Sequence, residues 1–87
     1  MKLKYDFAVR QVAGQTVAVA VGKNSREFNG MIKLGGSGEF IFNLLKKETT
    51  VDELVEKFLT EYNATEEQAR TTIEKFVQNL KEYGILE

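Results

Sequence analysis

Cysteine, histidine, tryptophan and proline are all absent from this sequence of 87 residues. Without cysteine there are no disulfides and no thiolate ligands. Without histidine there are no imidazole metal ligands, no Ser-His or Cys-His nucleophile pairs and no histidine-ligated haem. No apolar run approaches the roughly 20 residues that span a bilayer. The opening Met1-Lys2-Leu3-Lys4 lacks the apolar stretch of a signal peptide. The expectation is one cytoplasmic domain over residues 1–87, with no membrane partner. What is present, 43 % hydrophobic and 29 % charged residues, is the balance of a small globular fold. Such a composition favours a module that works by binding, without cofactor, metal or catalytic residues.

The net charge of −1 conceals a division. Residues 1–35 hold Lys2, Lys4, Arg10, Lys23, Arg26 and Lys33 against Asp6 and Glu27, a balance of +4. Residues 36–87 hold six basic and eleven acidic side chains, a balance of −5. Two readings stand side by side. Either these are two solvated faces, or the first part steers an acidic partner toward the domain.

The first part has the period of strands. Phe7, Val9 and Gln11 alternate with Ala8, Arg10 and Val12, and Ala13-Gly14-Gln15 forms a turn. Val17, Val19 and Val21 then alternate with small residues, as on a strand with one buried face. Gly22-Lys23-Asn24-Ser25 reads as a loop and Asn29-Gly30 as a turn, because both residues tolerate positive φ. Met31-Ile32-Lys33-Leu34 makes a short third strand. The strands occupy about residues 6–34.

From residue 36 the period becomes helical. Phe40, Ile41, Leu44 and Leu45 mark a first helix ending at Lys46-Lys47-Glu48, where cations suit the negative pole. Thr50 with Glu53, and Thr65 with Gln68, have capping-box spacing. The second helix carries Val51, Leu54, Val55, Phe58, Leu59 and Tyr62 on one face, with Asn63 as its stop. The third carries Ala69, Ile73, Phe76, Leu80 and Tyr83 and stops at Gly84, after which Ile85-Leu86 folds back on the core. The fold class is α+β, a winged helix-turn-helix-like arrangement: a three-stranded antiparallel sheet followed by three helices over about residues 36–84.

Three chemical motifs fall away on inspection. Gly35-Gly36-Ser37-Gly38 precedes a helix, but Glu39-Phe40 stands where a P-loop needs Lys-Ser/Thr. The carboxylates spread over exposed helix faces instead of converging in a pocket. The second and third helices have helix-turn-helix shape, yet Glu66 and Glu67 occupy the end that would enter a DNA groove and would repel phosphates. The chain ends three residues after Gly84, so no basic wing is expected to follow. A winged-helix DNA-binding regulator is the alternative function, and a salt-dependent DNA shift assay separates it; the leading reading has no nucleic-acid partner. A cofactor carrier is a third, requiring a closed apolar pocket. The third strand offers more. At a sheet edge it would expose unpaired N–H and C=O groups, which either Lys33 and the strand's shortness protect or a partner's strand uses.

Phe28-Asn29-Gly30-Met31-Ile32-Lys33-Leu34, Gly38 and Phe40-Ile41-x-x-Leu44-Leu45 resemble the PqqD family, coenzyme PQQ synthesis protein D. Thr50-Val51-Asp52-Glu53-Leu54-Val55, Glu61-Tyr62, Ala69, Phe76, Leu80 and Gly84-Ile85-Leu86 continue the similarity over nearly the whole chain. Gly35 departs from it, standing where many relatives place a polar helix cap.

The resemblance implies a non-catalytic, winged-helix-like RiPP recognition element. Such domains bind the leader of a ribosomally made precursor peptide as a strand beside the third strand, against the third helix. They deliver it to a separate modifying enzyme, a radical SAM protein in the PQQ pathway. Carried onto this chain, the groove uses Met31, Ile32, Lys33 and Leu34. The third helix offers two flanks, Thr72-Asn79-Tyr83 or Arg70-Val77-Lys81, and helical geometry alone does not choose between them. The second is favoured because Val77 between two cations suits an acidic amphipathic leader; Val77 is also an ordinary core candidate. The expectation is a standalone leader-peptide chaperone, monomeric or weakly dimeric, with a precursor peptide and a maturase as partners.

Overall fold

Strand β1 (Phe7–Val12) runs into β2 (Gln15–Ala20) through two residues, Ala13 at φ +52° and Gly14 at φ +78°. A two-residue turn with both φ values positive matches the right-handed twist of paired strands. Glycine adopts it freely, whereas Ala13 costs about 1–2 kcal/mol there. Strand β3 (Met31–Leu34) pairs antiparallel with β2, giving the sheet order β1-β2-β3. The computed structural model describes residues 1–22 and 30–87. Most of the expected loop at 22–25, Phe28 and the first residue of the Asn29-Gly30 turn lie outside the described residues.

Pairing partners share a face, and the register sets which side of each strand meets the helices. Phe7 lies opposite Ala20, and Ala18 opposite Ile32. The inner face therefore carries Phe7, Val9, Ala18, Ala20, Ile32 and Leu34, all in or against the core. On β2 the expected alternation is present, and the register supplies its phase. Its alanines face the helices and Val17 and Val19 face outward, although Val17 is itself buried.

Helix α1 (Gly36–Leu44) starts at Gly35, which makes no side-chain cap; the Glu39 N–H donates to the Gly35 carbonyl at 3.0 Å. The helix ends before Lys46 and Lys47, so these cations lie beyond its last turn. Helix α2 (Val51–Glu61) begins where the Thr50 hydroxyl accepts the Glu53 N–H at 3.2 Å, and ends at Tyr62, before the expected Asn63. Helix α3 (Glu66–Tyr83) has the full reciprocal box of Thr65 and Gln68 and terminates at Gly84, φ +76°. Each such cap contributes about 0.5–2 kcal/mol. Ala69, Ile73, Val77 and Leu80 are buried; Phe76 is half-buried and Tyr83 half-exposed, so Val77 replaces them on the inner stripe.

Ile41, Phe42, Leu45, Leu54, Ile73, Leu80 and Ile85 form the innermost core. Burying each large side chain is worth about 1.5–3 kcal/mol. The two chain ends close this core together. Leu3 bridges Leu86, the Lys4 N–H donates to the Ile85 carbonyl at 2.7 Å, and the Leu3 N–H donates to the Leu45 carbonyl at 2.8 Å. The Met1 amino group donates to the Glu48 carboxylate and holds the Glu48 pKa below its ordinary value.

Candidate functional site

Strand β3 pairs with β2 on one side and with no other described strand. The hydrogen-bond phase says which of its groups are unused. In an antiparallel ladder successive residues turn their N–H and C=O groups to opposite sides. The Val21 N–H donates to the Asp6 carbonyl at 3.1 Å, so every second residue of β2 back to Val19, Val17 and Gln15 faces β1. Thr16 and Ala18 therefore face β3, opposite Leu34 and Ile32. The backbone groups of Met31 and Lys33 are left on the outer edge.

Beside this edge lies an open cleft of about 310 Å³. Strand β3 and the turn after it supply Lys33 and Gly35; α1 supplies Ser37, Gly38 and Ile41. The opposite wall is the flank of α3 carrying Thr72, Lys75, Phe76 and Asn79. Gly38 allows the two helices to meet: a Cβ on it would stand 3.1 Å from Phe76 Cε1. Among the described residues, the charged residues of the lining are Lys33 and Lys75, and no Asp or Glu is among them. An unpaired strand edge beside a small apolar floor with cationic rims can take an extended peptide, backbone to backbone, and sort its side chains.

The expected site residues divide. Met31 is 60 % exposed and Lys33 is exposed on the outer face, while Ile32 and Leu34 point into the core. The structure does not bring Arg70, Val77 and Lys81 to the cleft. Arg70 Nη2 donates to Asp52 Oδ1 of α2 at 3.0 Å, which turns that flank toward α2. Val77 is core, at 4 % exposure, and Lys81 lies in the exposed last turn of α3. Of the other flank, Thr72-Asn79-Tyr83, the first two line the cleft and Tyr83 does not; Lys75 and Phe76, which the sequence did not single out for the groove, join them. Charge pairing held one usable signal: Asp52 opens α2 and Arg70 follows the opening of α3, so a short connection lets them meet.

Among the described residues, no cluster of His, Cys, Asp and Glu could hold a metal ion, and no helix is long and apolar enough to cross a membrane.

The solved structure of TbiB1 in complex with the TbiA(beta) leader peptide is similar in fold, with a TM-score of 0.76. The similarity covers 100 % of this chain and 95 % of that one at 18 % sequence identity. No curated protein matches significantly. The family model for coenzyme PQQ synthesis protein D (PqqD) matches residues 12–86. That span takes in all of α1, α2 and α3, strands β2 and β3, and every residue lining the cleft. The chain therefore belongs to the PqqD family.

Proposed function

We propose that this protein is a non-catalytic recognition element that binds the leader of a ribosomally made precursor peptide in the cytoplasm. It presents that precursor to a separate modifying enzyme, a radical SAM maturase. One observation carries the reading: the free edge of β3 opens onto the cleft, within a fold like that of a leader-bound protein. The leader adds as a strand beside β3, pairing with the backbone of Met31 and Lys33. Ile32 and Leu34 anchor that strand to the core from below. Thr72, Lys75, Phe76 and Asn79 select side chains, in place of Arg70, Val77 and Lys81.

The proposal assigns all covalent chemistry to the maturase. DNA binding is the weaker reading, because Glu66 and Glu67 fill the first turn of α3, the end that would meet phosphates. The test is to search the neighbouring genes for a short precursor and a radical SAM enzyme and to reconstitute the modification with them. Leader binding should be saturable, and modification should depend on the added chain. Full modification without the chain, or modification by the pure chain alone, contradicts the proposal.

A further inference from the structure

We infer that the segment this site selects is acidic: an apolar anchor seated against Phe76, with carboxylates close by in sequence that meet Lys33 and Lys75. The inference rests on strand addition at β3 and gives that reading a chemistry. A strand laid beside β3 sends alternate side chains into the cleft and away from it. Those pointing inward meet Phe76 and the buried Ile41, in a floor that Gly38 keeps low. Lys75 stands on the α3 wall beside them, so a carboxylate two residues from the anchor faces its ammonium. Side chains pointing outward lie next to Met31 and Lys33. A carboxylate adjacent to the anchor in sequence therefore reaches Lys33.

Electrostatics within the lining runs one way. Both charged residues of the cleft are cations, so an acidic segment gains attraction without meeting a like charge there. A basic segment meets two like charges and, among the described lining residues, no carboxylate. Exposed pairs of this kind change affinity by about 1.5- to fivefold each. Two of them discriminate acidic from basic occupants without supplying most of the affinity.

A random peptide display library, selected separately on the wild-type protein and on a K33E/K75E variant, reads this directly. Both lysines are exposed, so the variant should fold, and circular dichroism checks that it does. Lys46→Glu with Lys57→Glu, away from the cleft, makes the same charge change as a control. Wild type and control should enrich peptides with Asp or Glu one or two positions from an apolar residue. The K33E/K75E pool should enrich Lys or Arg there instead. Replacing the carboxylates of a selected peptide by amides should weaken it about two- to twenty-five-fold on wild type and not on the variant. Selected peptides that perturb the amides of Met31 and Lys33 yet carry no acidic preference would overturn the inference alone. Peptides that leave those amides untouched, or no enrichment at all, would overturn strand addition as well.

Discussion

Gly38 of α1 lies under the ring of Phe76 of α3, so close that an added Cβ would stand 3.1 Å from Cε1 and 3.7 Å from Leu34 Cβ. This contact joins the packing of α1 on α3 to the shape of the cleft. In Gly38→Ala the ring must give by a few tenths of an ångström, and the open side available to it is the cleft. Alanine gains about 1 kcal/mol of helix propensity over glycine, which offsets the crowding. Denaturant unfolding should therefore show a change below about 1 kcal/mol. Leader affinity, measured by titration, should fall severalfold. Lost stability with intact affinity would make the glycine a packing device only.

Proline distinguishes the two sides of β3. Lys33→Pro removes an N–H from the free edge, a place where strands tolerate proline. Ile32→Pro removes one that points to β2 and lies under the core. The expected outcome is a folded Lys33→Pro protein that has lost leader binding, beside an Ile32→Pro protein that unfolds at much lower denaturant. Two equally stable proteins would refute the hydrogen-bond phase derived from Val21 and Asp6.

At Gly35 stability and binding should move in opposite directions. Its φ of −79° suits any residue, and a Cβ there meets nothing within 4 Å. Gly35→Asp supplies the missing cap of α1 and should add about 0.3–1 kcal/mol. The same carboxylate lies in the cleft with Lys33 and Lys75 and should weaken an acidic leader. A variant that is stabilised and binds as wild type would remove this part of the cleft from the binding surface.

What the amino-acid sequence made legible was local. Thr65 with Gln68, the stop at Gly84 and the apolar stripe of α2 are signals contained within a helical turn or two, and each has its structural counterpart. The phase of β2 was not, because alternation says that two faces differ without saying which one the helices cover. That choice came from the pairing of Ala18 with Ile32 across the sheet. Likewise, the sequence of α3 defines two flanks, but their neighbours are elements distant in the chain. The Arg70–Asp52 pair spans 18 residues, and the Leu3–Leu86 bridge joins the two ends.

The Arg70 pair supplies a control for the flank assignment. Its partners are 38 % and 84 % exposed, so Arg70→Ala should cost no more than about 1 kcal/mol in stability. Leader affinity should stay at the wild-type value, while Asn79→Ala and Phe76→Ala should lower it. The reverse pattern would return the groove to the Arg70-Val77-Lys81 flank.

Amide chemical-shift mapping with the cognate leader tests strand addition most directly. The account predicts the largest changes at Met31 and Lys33, slowed hydrogen exchange at those two N–H groups, and a second set of changes over Thr72–Asn79 on α3. Changes confined to the α2-facing side of α3, with the exchange of Met31 and Lys33 unaltered, would contradict it.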